Sequence, residues 1–92
     1  MYTPNPEDTS KVELSAEILE LAEAIAENTH ENWAKTKLSE GWVYGEKLDK
    51  ENRTHPCLVP YCELGEQDKE YDRVTAMEAI KFLVKKGYKI SR

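Results

Sequence analysis

Between Ser15 and Leu38 the apolar and small positions fall at Ile18, Leu21, Ala22, Ile25, Thr29 and Trp33, steps of three and four that draw one stripe along a helix. A long amphipathic helix is therefore predicted over 15–38. Ser15 offers an N-cap oxygen, Glu17 sets negative charge at the positive end of the helix dipole, and Gly41 is free to take the left-handed conformation that stops a helix. A second stripe through Tyr71, Val74, Met77, Ile80, Leu83 and Val84 predicts a helix over 66–86, with Lys85 and Lys86 at its negative end and Gly87 closing it. Neither helix is stable alone in water, so the stripes are expected to bury each other in an antiparallel pair.

The connection, 39–65, is long enough to carry structure of its own. Trp42, Val43 and Tyr44 have strand character between two glycines, LDKENRT at 48–54 is a polar tip, and the prolines of HPCLVPY enforce extended backbone. The expected result is a short irregular hairpin or extended flap laid across the helices. Residues 1–14 read as an extended arm with a turn at Asp8–Ser10. KVEL at 11–14 and YKI at 88–90 both alternate, so a small ladder with a short C-terminal strand over 87–92 is predicted. The fold class is mainly α, a single domain over 1–92: an antiparallel pair of long helices, a long extended flap and short antiparallel β elements.

Composition narrows the function classes. A chain of 92 residues supports one thin core, so each large apolar residue counts. No run approaches the ~20 apolar residues of a membrane span, and MYTPNPEDTSK lacks the basic and apolar regions of a secretory signal, so a cytoplasmic location is expected. The net charge of −5, with Glu17, Glu20, Glu23, Glu27 and Glu31 crowded on the first helix, argues against binding duplex nucleic acid. The C-terminal part is locally basic, through Lys81, Lys85, Lys86, Lys89 and Arg92, which leaves room for a small anion or an acidic partner surface. Cys57 and Cys62 flank Pro60 and are expected as free, partly buried thiols.

Several stretches together resemble a known family. YTPNPEDTS at 2–10, AENTHENWAKTKLSEGWVYG at 26–45, HPCLVPYCEL at 55–64, KEYDR at 69–73 and GYKI at 87–90 resemble the ryanodine receptor repeat domain, and more closely its free-standing single-domain form in bacteria and phages. The ordered motifs H-E-x-W, G-W-x-Y-G, H-P-x-L-V-P-Y and K-x-Y-D-R carry the resemblance. It implies a mostly helical module with small β elements, which in animal calcium-release channels occurs in tandem pairs on the cytosolic assembly, far from the pore. It does not imply channel activity. For the prokaryotic members it implies sensing of nucleotide-derived ligands or a part in defence systems.

Candidate chemistry gathers around the tryptophans. His30, Trp33 and Lys37 share one helical face, and an aromatic plate beside an imidazole and a cation suits a purine with phosphates. Trp33 also continues the core stripe, so core packing and ligand contact both stay open. Trp42 and Tyr44 sit two apart and are expected to clamp the flap onto the core, while either Asp72 and Arg73 form a polar latch to the flap or Arg73 serves as a second anion contact. His30, His55, Cys57 and Cys62 show no paired ligand spacing of a structural zinc site, and DKEN at 49–52 lacks the ligand pattern of a calcium loop. No nucleophile elbow, glycine-rich phosphate loop or acid and base pair is present, so no cofactor, no metal and no enzymatic activity are expected. Two function classes follow. One is a binding module for a nucleotide-like or anionic aromatic ligand, contacted by Trp33, His30, Lys37, Trp42 and Arg73. The other is a protein-interaction or homodimerisation domain.

Overall fold

Two helices make up nearly half of the computed structural model, which describes residues 1–92. Helix α1 spans Ala16–Ser39 and helix α2 spans Glu66–Lys85. The Ser15 hydroxyl accepts the Ile18 N–H at 3.2 Å and so caps α1, whose far end gives way to Gly41 at φ +90°. Leu19 near the start of α1 shares a cavity with Met77 and Lys81, whereas Trp33 near its end shares one with Asp68, so the helices run antiparallel.

The helix contact is built from small residues. Ala22 and Ala26 of α1 and Ala76 and Ile80 of α2 are buried, Ala26 completely, and Tyr61 and Leu64 from the connection close the cluster. Ala22 and Ile80 belong to the stripes predicted from the sequence, whereas Ala26 and Ala76 do not. The core line of α1 runs through Ala22, Ala26 and His30, while Leu21 is exposed; on α2, Tyr71, Val74 and Leu83 point away from the contact. The reason is steric: alanines let two backbones approach where leucine or tyrosine would hold them apart.

The connection forms a flap with a two-stranded sheet, β1 (Val43–Tyr44) and β2 (Thr54–His55), followed by a 3₁₀ turn at Tyr61–Glu63. The strands are parallel, pairing Val43 with Thr54 and Tyr44 with His55, where antiparallel pairing was expected. The polar tip explains the difference. The chain reverses once after Tyr44 and again at Asp49, whose backbone exchanges two 3.0 Å hydrogen bonds with Thr54 in an antiparallel bridge. Two reversals return the chain parallel to its first strand. The second is held by the Asp49 carboxylate, which accepts the backbone N–H groups of Glu51 and Asn52 and the Asn52 side chain. Gly45 is required where the segments touch, because a Cβ there would lie 2.5 Å from Thr54 Cβ.

The ladder between 11–14 and 88–90 does not form, and 87–92 is not a strand. The arm instead turns on itself, Val12 N–H to Thr9 carbonyl at 3.0 Å, and docks on α2. The buried Thr9 hydroxyl donates to Glu78 at 2.6 Å, Lys85 donates to the Asp8 carbonyl at 2.6 Å, and Lys86 pairs with Glu7 at 2.6 Å. The tail lies elsewhere, with Ile90 and Arg92 against Ile18 and Leu21 of α1. Side-chain anchoring of the arm to α2 thus replaces the expected backbone pairing.

Candidate functional site

The flap meets the end of α1 through a chain of rings. His30, only 4% exposed, donates from Nε2 to the Val59 carbonyl at 2.7 Å, which ties the proline-stiffened segment to the helix. Because a carbonyl only accepts, that bond places a proton on Nε2. The His30 ring stacks on Trp33 with centroids 5.6 Å apart and lies 6.1 Å from Tyr61. Trp33 in turn meets His55 edge-on at 4.8 Å, and His55 lies 6.2 Å from Trp42. The His55 Nδ1 accepts the Cys57 N–H at 3.0 Å. Burial and the nearby Lys37 charge hold the His55 pKa below its ordinary value, so the ring is neutral with its proton on Nε2.

These rings bound a cleft of about 260 Å³ between the flap and α2, lined by His30, Trp33, His55, Leu64 and, from α2, Asp68, Tyr71 and Asp72. The α2 side of the cleft is acidic. Asp68 and Asp72, one helical turn apart, line the α2 wall beside the exposed Tyr71. Lys37 lies outside that lining, over the Trp42 ring, 4.6 Å from its centroid. Cys57 also lines the cleft. Burial, then the charge of Asp68, pushes its thiol pKa upward, the reverse of what a thiolate nucleophile needs. No three carboxylate, imidazole or thiol groups converge as a metal would require.

Of the residues the sequence singled out, His30 and Trp33 line the cleft, and Trp42 and Lys37 stand behind His55 at its edge. Arg73 lies on another face. Its Nε donates to both Glu23 oxygens, at 2.9 and 2.7 Å, and its Nη1 to Glu66 at 2.9 Å, so its charge is bound within the protein. Arg73 is thus a latch from α2 to α1, beside a separate cavity shared with Leu19 and Val74. The sequence reading missed Asp68 and Tyr71 as cleft residues and weighed His55 only as a metal ligand. The signal available was Asp68, Tyr71 and Asp72 at i, i+3 and i+4 on one helical face.

The latch has a pH signature. Tyr61 donates its hydroxyl to Glu23 at 2.7 Å, and Arg73, then Tyr61, holds the Glu23 carboxyl below its usual range. Burial, then the Glu23 contact, pushes the Tyr61 pKa up to about 12. The folded state therefore favours the neutral phenol. Its stabilising contribution is complete below the ordinary tyrosine pKa near 10 and is lost as pH rises from there through about 12. In an absorbance titration at the phenolate band, one tyrosine is expected to ionise near pH 12, and Tyr61→Phe is expected to remove that step. A titration in which every tyrosine ionises near pH 10 contradicts the Tyr61 environment.

The RyR domain family matches the chain over residues 2–92. The match spans essentially all the residues that build the helix pair, the flap and the cleft, and the chain belongs to that family.

Proposed function

We propose that this RyR domain is a non-enzymatic binding module whose Trp33 cleft takes a nucleotide-like ligand, base first. One observation carries the reading: the cleft is walled by aromatic rings and carries two carboxylates on its α2 side, with Lys37 beyond His55 at the Trp42 ring. A purine ring stacked against Trp33 directs its amino or ring N–H donors to Asp68 and Asp72. Its phosphate then turns away from those carboxylates, toward Lys37 at the Trp42 edge. The volume of about 260 Å³ suits one ring system rather than a whole dinucleotide. Membership of the family supports the fold behind this reading, while the ligand assignment rests on the site.

The test is a tryptophan-fluorescence titration with adenosine, AMP, guanosine and GMP. A saturable change is expected for at least one nucleoside and its monophosphate. Asp72→Asn is expected to weaken the nucleoside and the nucleotide alike, and Lys37→Ala to weaken only the nucleotide. Replacing Trp33 by leucine, followed by calorimetry, is expected to cost at least about fivefold in affinity, as the loss of one stacked base at about 1–3 kcal/mol requires. No saturable response to any of the four at about 5 mM, weaker than any specific pocket would bind, overturns the reading.

A further inference from the structure

Helix α2 carries apolar residues on two faces. Ala76 and Ile80 are buried against α1, whereas Tyr71, Val74 and Phe82 are 67%, 50% and 43% exposed on the outward side. Their spacing places them in one stripe along the helix. Three shallow cavities of about 280, 380 and 430 Å³ all include Val74 in their walls, so they adjoin one another around it along that face. Leu19 of α1 borders one side, and Pro6 of the arm closes the Phe82 end.

The chain exposes more surface than a protein of its size leaves to water. Its accessible area is 7394 Å², against about 5,500 Å² for a compact monomer of this mass. Its radius of gyration is 16.0 Å, against about 12 Å. The excess, roughly 1,900 Å², is more than the ~800 Å² that each partner contributes to a standard interface.

We propose that the Tyr71–Val74–Phe82 face is covered by a second copy of this chain, in a two-fold contact with the two α2 helices antiparallel. The distribution of charge along α2 selects this occupant and this direction. In its first half the acidic Glu66, Asp68, Glu70 and Asp72 outnumber Lys69 and Arg73, and Lys81, Lys85 and Lys86 lie at its other end. Lys85 and Lys86 hold Glu7, and Glu70 lies 3.9 Å from Arg73 of its own helix, but Lys81 makes no ion pair and borders one of the three cavities together with Glu70. Antiparallel pairing about the helix midpoint sets Glu70 of each copy near Lys81 of the other, and Tyr71 near Phe82. Parallel pairing would stack like charges. A surface whose charges complement those of its own two-fold copy makes an isologous, closed dimer.

Sedimentation equilibrium of the whole chain from about 1 µM to 1 mM, spanning weak to tight self-association, is the test. The expected mass at the upper end is twice the 10.6 kDa of one chain. Val74→Glu, at a half-exposed position, is expected to raise the dimer dissociation constant at least tenfold, with circular dichroism verifying the helices. Glu70→Lys and Lys81→Glu should each weaken the dimer, and the two together should restore it. A single-chain mass at every concentration overturns the proposal, as does a dimer that Val74→Glu leaves intact. A double swap that fails to recover overturns the antiparallel arrangement.

Discussion

Ala26→Leu is expected to lower the unfolding free energy by about 3 kcal/mol, near the upper end for overpacking a core. Ala26 is fully buried and packs in one cluster with Ala76, Tyr61 and Leu64. Three added carbons have no free volume there, so the helices must part or the added side chain must leave its rotamer. The helix itself does not object, because leucine is nearly as good a helix former as alanine. For a domain of this size the total is on the order of 5–14 kcal/mol, so the loss is a large share of it. Thermal unfolding should shift down by roughly 15 °C. Ala24→Leu, on the exposed side of the same helix, is the control and should melt near the parent temperature. An Ala26→Leu protein that also melts there would mean that the helices do not meet at Ala26.

The second large effect is expected at His30. Removing its ring deletes a buried plate between Trp33 and Tyr61 and strips the Val59 carbonyl of its 2.7 Å donor. The cavity and the lost hydrogen bond together should cost about 3 kcal/mol in His30→Ala. The loss should also be uneven. Amide hydrogen exchange in the flap, from Thr54 to Tyr61, is expected to accelerate more than exchange in the middle of α2, because His30 joins the flap to α1 while α2 keeps its contact with Ala22 and Ala26. His30→Gln keeps a donor without the ring and should fall between the two. If His30→Ala accelerates exchange equally everywhere, the ring supports the whole core and does not specifically tie down the flap.

These two residues also mark how far the sequence could be read. The helices were legible because their caps, stop signals and periodicity are local, and a residue's neighbours at three and four positions are known without any tertiary contact. Which residue lay at the centre of each face was not. Hydrophobicity weights Leu21, Tyr71 and Val74 above Ala22, Ala26 and Ala76, whereas close approach between helices selects the small side chains. The candidate site was legible in the same partial way. His30 and Trp33 share a face of one helix, so their neighbourhood followed from spacing. Arg73, an attractive anion contact on paper, is held by Glu23, fifty residues away in the chain and beyond the reach of any local pattern.

By itself the sequence determined the two helices, the glycines that end them, the flap between them and the absence of a helix long and apolar enough to cross a membrane. Only the tertiary structure decided the parallel sense of the flap strands, the docking of the arm on α2, the outward apolar face of that helix and the pairing of aromatic with acidic groups across the cleft. The division has one physical cause. Helix formation is set by interactions within a few residues, whereas strand direction, burial and charge partners depend on which distant segments meet, and that depends on how closely small side chains let the backbones approach.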